Sequence, residues 1–173
     1  MSKSFINYCP NCKSEDFSFE NDFKLHCNSC DFVLYHNIAA AVAVIIKHDD
    51  QILFTVRNVE PDQGKWDLPG GFIDPNENAE EAACRELKEE LGIDLVPNDL
   101  KYITTSPNNY LYRNVPYRTM DIFYEYRVHS NEIQITAQDE IKDLIWVDAA
   151  AIELDKIGFV SIRKVIAEKY KSN

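Results

Sequence analysis

Three glutamates lie close together in a segment with helical periodicity, residues 78–91. At about 100° per residue, Glu86 and Glu90 fall at the edge of the apolar stripe of that helix, and Glu89 lies just outside it. Carboxylates three and four residues apart are neighbours on a helix, and they repel one another unless a cation lies among them. Hard oxygen ligands of this kind suit Mg²⁺ or Mn²⁺. A solvated acidic face is the alternative interpretation.

A second candidate metal site lies near the start of the chain. Four of the five cysteines form two C-x-x-C pairs separated by 14 residues: Cys9, Cys12, Cys27 and Cys30. Each pair makes a tight knuckle, and two knuckles complete the sulfur tetrahedron of a structural zinc site with no open position for catalysis. About 35 residues bury too little apolar surface to fold alone, so the metal would supply folding free energy. Iron or a redox role, and disulfides, are the alternatives.

The elements that must position these groups alternate between strands and helices. The sequence predicts strands at residues 17–25, 31–35, 38–47, 51–57, 66–73, 100–105, 117–129 and 144–147, with a hairpin turn at 47–50. It predicts a helix over 78–91 that ends at Gly92, a helical turn over 152–154 and a final amphipathic helix over 159–170. Strands and helices mixed in this way predict a sheet covered by helices.

The residues around the acidic helix form an extended motif. It reads Gly71-x5-Glu77-x7-Arg85-Glu86-Leu87-x-Glu89-Glu90-x-Gly92-Ile93. This motif resembles the Nudix box of the Nudix hydrolases at every defining position. The segment Trp66-Asp67-Leu68-Pro69-Gly70-Gly71 resembles the family's approach to the box, and Glu140, six residues before Trp146, resembles its late strand. The likeness covers about residues 38–170, and the cysteine segment resembles the zinc ribbon of a family subset.

The resemblance implies a fold and a domain organisation. The expected fold is a Nudix α/β/α sandwich around a mixed sheet, over residues 37–173, preceded by a small zinc ribbon over residues 1–36. Ribbon-bearing relatives are mostly dinucleotide pyrophosphatases that act on NADH, FAD or ADP-ribose. The expected reaction is attack of water on one phosphorus of a nucleoside diphosphate linked to another moiety.

The resemblance also implies roles for individual residues. Glu86, Glu89 and Glu90 would hold the catalytic Mg²⁺ or Mn²⁺, with the Gly70 carbonyl as a further ligand. Glu77 and Arg85 would pair and fix the loop against the helix. Glu140 would ligate a metal or act as general base, with Glu89 as the competing base. Arg57, at the end of the second long strand, is a candidate for phosphate contact, and a surface charge is the alternative.

Substrate choice is less constrained by the motif. Residues 105–110, Thr-Ser-Pro-Asn-Asn-Tyr, lack the Trp-Pro-Phe-Pro type of segment that bacterial NADH pyrophosphatases carry after the box. The resemblance therefore favours FAD or ADP-ribose over NADH and NAD-capped RNA. Candidates for stacking on a nucleobase are Tyr110, Tyr112, Tyr117, Phe123, Tyr124 and Phe159. The alternatives are a hydrolase that removes nucleoside triphosphates, a non-catalytic ligand sensor and a zinc-ribbon adaptor.

Composition limits the partners of the chain. Its 173 residues carry a formal net charge of −11, which gives no electrostatic basis for binding duplex nucleic acid. An anionic substrate would need bridging divalent cations. The longest apolar run, residues 38–46, is half of what a membrane-spanning helix needs, and no signal peptide is evident, so we expect a cytoplasmic protein without a membrane partner. Relatives that cleave dinucleotides often dimerise, which makes a homodimer plausible.

Overall fold

The computed structural model describes residues 6–21, 23–112 and 115–171. The chain divides into two compact units, Met1–Ile38 and Ala39–Asn173. In the first unit, three short antiparallel strands are ordered β1 (Phe17–Glu20), β2 (Lys24–Cys27) and β3 (Val33–Tyr35). The single strand predicted over 17–25 is therefore wrong: Asn21 has a φ of 50°, a left-handed conformation that turns the chain between β1 and β2. The fully buried Leu25 lies on β2.

The second unit is built on a six-stranded mixed sheet. Its strands are β4 (Ala39–His48), β5 (Gln51–Arg57), β6 (Trp66–Asp67), β7 (Lys101–Tyr112), β8 (Val115–Arg127) and β9 (Ile141–Asp148). The strand order is β6-β5-β4-β8-β7, and β9 also pairs with β5. Strands β4 and β8 run parallel, whereas the other pairs are antiparallel. The two-residue turn after His48 confirms the predicted hairpin.

Two helices cover opposite faces of this sheet. Helix α1 (Ala79–Leu91) begins after Asn78, whose side chain and that of Glu81 form a capping box, and it ends at Gly92, which has a φ of 66°. Helix α2 is Val160–Lys169. Neither of these two helices, in the part of the chain that the structure describes, is long and apolar enough to cross a membrane.

Alternation along β4 explains the two layers of core. Val44 packs in the core that contains Leu87 of α1, whereas its neighbour Ile45 packs in the core that contains Ile166 of α2. Successive side chains of a strand point to opposite faces, so one apolar strand supplies both cores. This arrangement confirms the predicted α/β/α sandwich around a mixed sheet.

Three predicted elements of the second unit also differ clearly from the structure. The strand predicted over 66–73 is limited to Trp66–Asp67, because proline and two glycines follow it. The strand predicted over 100–105 continues to Tyr112, because it pairs with β8 along its whole length. The helical turn predicted over 152–154 is replaced by two 3₁₀ turns, Ala149–Ala151 and Leu154–Lys156.

Strands β4 and β5 pair only next to their hairpin and then diverge. The gap between them is filled by the segment that leads to the acidic helix α1. The two strands pair only at Lys47↔Ile52 and His48↔Gln51. The segment after β6 occupies the edge of β4 that is left free: Val44 N–H donates to the Pro69 carbonyl and Val42 N–H to the Gly71 carbonyl, both at 2.8 Å. The Gly-Gly turn is therefore attached to the central strand.

Candidate active site

The backbone of the Gly-Gly turn (Gly70 and Gly71) packs closely against two groups, the Val42 carbonyl and the Glu86 carboxylate. Gly70 has a φ of 146°, a conformation that only glycine adopts readily, and a Cβ there would overlap the Val42 carbonyl. A Cβ on Gly71 would instead lie 2.8 Å from the Glu86 Cδ. Gly70 therefore needs glycine for its backbone conformation, whereas a side chain at position 71 would require the Glu86 carboxylate to move.

Glu90 is the most buried of the candidate ligands, with 8% of its surface exposed. Its Oε2 accepts a hydrogen bond from the Gly70 N–H at 3.1 Å. Burial, reinforced by the charges of Glu86 and Asp67, raises the pKa of Glu90 well above its usual range, and the Gly70 hydrogen bond only partly opposes this. A buried carboxylate among other acids favours a nearby cation or a proton.

Glu86 lies one helical turn before Glu90. Burial is the largest cause of its raised pKa, the Arg85 guanidinium opposes the shift, and the charges of Glu89 and Glu140 add to it. The carboxylate accepts a hydrogen bond from Arg85 Nη1 at 2.8 Å. The half-buried Glu86 and the buried Glu90 thus form an acidic pair beside the Gly-Gly turn.

Arg85 ties the loop to the helix. Its Nη2 donates to Glu77 Oε1 at 2.6 Å and its Nε to Glu77 Oε2 at 3.1 Å, a bidentate pair. Its Nη2 also donates to the Phe72 carbonyl at 3.1 Å. The Glu77–Arg85 pairing expected from the resemblance is present, and it lowers the pKa of Glu77.

The two candidate bases lie in different surroundings. Glu89 is on the outer side of the helix, with 60% of its side chain exposed and an ion pair to Arg85 at 3.2 Å. Glu140 is exposed and contributes to the wall of a cavity of about 640 Å³, which Glu90 and Gly70 also line. The remaining lining residues are Thr55, Arg57, Val59, Glu60, Asp67, Leu68, Phe72, Tyr117, Asp139 and Ile141.

Arg57 lines this cavity, but its guanidinium already has protein partners. Nη1 donates to Asp67 Oδ2 at 2.6 Å and Nε to the Pro61 carbonyl at 2.7 Å. Its Cζ lies 4.9 Å from the centre of the Phe159 ring, a cation–π distance. Burial raises the pKa of Asp67, and Arg57 opposes that shift. The role of Arg57 in phosphate contact stays a prediction.

The aromatic candidates separate by burial. Phe123 and Tyr124 are 0% and 3% exposed, and Tyr124 donates its hydroxyl to Glu80 at 2.8 Å. Both belong to the core, so the prediction that they stack on a base is wrong. Tyr117 lines the large cavity and Phe159 lines a smaller cavity beside it. The side chains of Tyr110 and Tyr112 lie outside the described part of the chain.

The oxygen donors suit a hard divalent cation, although they do not close into a compact ligand set. Glu86, Glu90 and the Gly70 backbone adjoin one another, and the raised pKa values of both acids indicate unbalanced negative charge. Among the His, Cys, Asp and Glu side chains of the described residues, only the cysteines form a group of three or more whose ligand atoms all lie within 4.8 Å of one another. Arg85 holds Glu86 and Glu89 in ion pairs.

The four cysteines converge in the first unit. Their sulfurs all lie within 4.8 Å of one another, with 3.8 Å from Cys9 to Cys30 and 3.6 Å from Cys12 to Cys27. A zinc tetrahedron with bonds of about 2.3 Å separates its sulfurs by about 3.8 Å. All four thiols are free, and the Asn11 amide donates to Cys30 and lowers its pKa to about 6. The cluster is therefore consistent with a zinc ribbon.

Comparison with protein families decides the class of the large unit. Residues 36–168 match the model described as the NUDIX domain. The chain belongs to the Nudix family. This confirms the Nudix hydrolase prediction made from the box, and the mixed sheet with two helices agrees with it.

Individual relatives are distant. The chain is 31% identical over 100 residues to the NAD-capped RNA hydrolase NudC of Escherichia coli. The aligned segment covers 58% of this chain and 38% of that protein. It therefore spans about two fifths of the length of this curated relative. A Nudix hydrolase structure from Nitrosomonas europaea covers 95% of this chain and 92% of its own, with a TM-score of 0.64 and 20% identity.

A third relative has a more informative description. A bifunctional NMN adenylyltransferase/ADP ribose pyrophosphatase from Francisella tularensis, solved with AMP and a manganese ion, is 25% identical with a TM-score of 0.59. The match covers 76% of this chain and 41% of that one.

Sequence reasoning missed several residues around the site. Asp67 is buried and pairs with Arg57, and its negative charge contributes to the raised pKa of Glu90. In the sequence, Asp67 stands out only as part of a motif. Asp121 directly precedes the apolar and aromatic run Ile122–Tyr124 of β8, and an acid beside such a run is a signal of a buried polar site. Asn108 follows a proline in β7 and carries no comparable signal.

Proposed function

We propose that this Nudix domain is a Mg²⁺- or Mn²⁺-dependent pyrophosphohydrolase that cleaves a nucleoside diphosphate linked to another moiety, with FAD or ADP-ribose as favoured substrates. The observation that carries the proposal is the large cavity, where the buried Glu90 carboxylate is held by the Gly70 N–H beside Glu86. A diphosphate cannot approach these acids without a cation between them.

The side chains of the site would have different roles in hydrolysis. Glu86, Glu89 and Glu90, with the Gly70 carbonyl, would hold the divalent cation, which when bound neutralises phosphate charge and acidifies the attacking water. Glu140, which is exposed on the cavity wall, would accept a proton from that water, with Glu89 as the competing base. Arg85 and Glu77 would keep the helix and the turn in register, which fixes the direction of the carboxylates.

Substrate class is supported by the relatives rather than by the box. The names of the Escherichia coli and Francisella tularensis relatives refer to NAD-capped RNA and to ADP-ribose, and NAD and ADP-ribose both contain AMP joined through a diphosphate. FAD also contains AMP joined through a diphosphate. A chain with a net charge of −11 has little basis for gripping a long RNA, so we favour the free dinucleotides over capped RNA.

The test is a substrate panel with a matched inactive variant. Purified protein is incubated with Mg²⁺ or Mn²⁺ and FAD, ADP-ribose, NADH, NAD-capped RNA, diadenosine polyphosphates or nucleoside triphosphates, and a phosphatase liberates phosphate from the products. We expect FAD or ADP-ribose to give the highest kcat/KM, and Glu90→Gln to abolish the signal. Preferential hydrolysis of nucleoside triphosphates would instead indicate an enzyme that removes such triphosphates. No hydrolysis of any substrate in the panel would favour a non-catalytic ligand sensor.

A further inference from the structure

A second, smaller cavity adjoins the first. Its volume is about 140 Å³, comparable to that of four or five water molecules in the liquid. The two cavities share Arg57, Asp67, Leu68, Gly70 and Phe72 as lining residues. A group bound in the small cavity would therefore lie next to a phosphate bound at Glu90 and Gly70.

Asn108 gives this cavity an unexplained polar group. The residue lies on β7, lines the cavity and is 9% exposed. Its Oδ1 is buried without a hydrogen-bond partner, one of two such side-chain atoms in the part of the chain that the structure describes. An unpaired buried acceptor costs free energy, and native proteins retain one where a ligand, ion or water completes it.

The neighbouring polar groups are mostly acceptors. Asp121 is 8% exposed and accepts hydrogen bonds from the hydroxyls of Thr119 at 2.6 Å and Ser161 at 2.5 Å. Each carboxylate oxygen has two lone pairs, so these two bonds leave acceptor capacity on Asp121. The buried Asp67 carboxylate also lines the cavity. The Arg57 guanidinium also lines the cavity, but it already donates to Asp67 and to the Pro61 carbonyl. A ligand suited to the acceptors of this wall offers N–H groups rather than carbonyl oxygens.

The rest of the lining is mostly apolar and includes two rings, those of Phe72 and Phe159. Ala41, Ala43 and Ile162 contribute small or aliphatic surface, and Phe159 carries the Arg57 guanidinium over its ring. Apolar and aromatic walls around a few hydrogen-bonding groups are the usual form of a small-molecule site, and such walls suit a planar heterocycle. Apolar contact would supply affinity, and the acceptors would select which heterocycle enters.

We propose that the small cavity binds the nucleobase of the substrate and selects a base with an exocyclic amino group, as in adenine, which donates a hydrogen bond to Asn108 Oδ1. The proposal rests on the proposed function, since it places the diphosphate at Glu90. Asn108 is then a specificity-determining residue, and hypoxanthine, which carries a carbonyl oxygen in place of the amine, is disfavoured because two acceptors face each other.

The first test compares ADP-ribose with its hypoxanthine analogue. We expect the unmodified protein to prefer ADP-ribose by about tenfold in kcat/KM, the effect of one buried hydrogen bond and its mismatch. Asn108→Leu, which keeps the volume but removes the acceptor, should reduce the ratio towards one, mainly through KM. The matched control is Asn109→Leu, because Asn109 is the next residue on β7 and is exposed; its ratio should stay unchanged.

A second measurement separates failure of this proposal from failure of the proposed function. Calorimetric titration with ADP and with IDP in the presence of Mg²⁺ requires no hydrolysis. Tighter binding of ADP that is lost in Asn108→Leu supports the base site even if the protein hydrolyses nothing. Equal binding of ADP and IDP, or a preference that survives Asn108→Leu in folded protein, overturns the proposal and leaves a bound water as the partner of Asn108.

Discussion

Replacing Glu90 by glutamine should make the protein more stable and much less active. Glutamine has nearly the same shape, and its Oε1 can still accept the hydrogen bond from the Gly70 N–H. The substitution removes a carboxylate that is 8% exposed and is repelled by Glu86 and Asp67. The buried charge is thus a cost to the fold that the active site requires.

The size of both effects follows from these contacts. Relief of a strained functional charge commonly stabilises a protein by about 1 kcal/mol, which raises the Tm of a chain of this length by roughly 2–4 °C. The sign holds above the ordinary pKa of a glutamate, because a raised pKa means that ionisation of Glu90 opposes folding. Turnover should fall by orders of magnitude, since the variant lacks a metal ligand.

The assay combines thermal unfolding with hydrolysis. Unfolding is followed at pH 8 in buffer without added Mg²⁺ or Mn²⁺; a chelator is avoided because it would also compete for metal at the cysteine cluster. Glu168→Gln, an exposed position on α2, is the matched control and should change neither property. A lower Tm for Glu90→Gln would refute the desolvation argument, and near-normal turnover would refute the metal-site assignment.

Three further perturbations test other contacts. Cys12→Ser should lower the zinc content measured by mass spectrometry from about one ion per chain, because one of four converging sulfurs is lost; unchanged zinc would reject the structural site. Gly71→Ala should weaken activation by Mn²⁺ in a metal titration, because its Cβ would displace the Glu86 carboxylate. Glu77→Gln should weaken metal affinity, measured by titration, by about tenfold. The variant should also have a lower Tm than the unmodified protein at neutral pH, because the lowered pKa of Glu77 means that its ionised form stabilises the fold. This difference in Tm should disappear as the pH falls through the pKa of Glu77.

The sequence predicted the large unit well where local signals and packing agree. Helix α1 is bounded by a capping box at Asn78 and a left-handed Gly92, both short-range features that a sequence displays directly. The extent of β7 was underestimated because its outer half is ordered by pairing with β8, a contact that local propensity does not contain. Alternation along β8 likewise did not show which of its aromatic residues face the core.

Within the site, the motif identified the residue types but not their states. Glu89 and Glu90 are adjacent in the box, yet Glu90 is 8% exposed and the side chain of Glu89 60%, because the helix turns one towards the Gly-Gly turn and the other towards solvent. The position of Arg57 at the end of β5 predicts phosphate contact or a surface charge, but it does not reveal that the guanidinium donates to Asp67 and Pro61. Such differences depend on how β5, β6 and the turn pack against one another, which the pattern of residue types does not contain.

The attachment of the Gly-Gly turn to β4 has a consequence for hydrogen exchange. The amides of Val42 and Val44 donate to carbonyls of the turn, and both residues are buried on the central strand, at 3% and 0% exposure. Amides in such a position exchange only when the whole domain unfolds, whereas surface loops open locally. The turn is therefore expected to open as rarely as the core strand to which it is bonded, which makes it a rigid wall of the cavity.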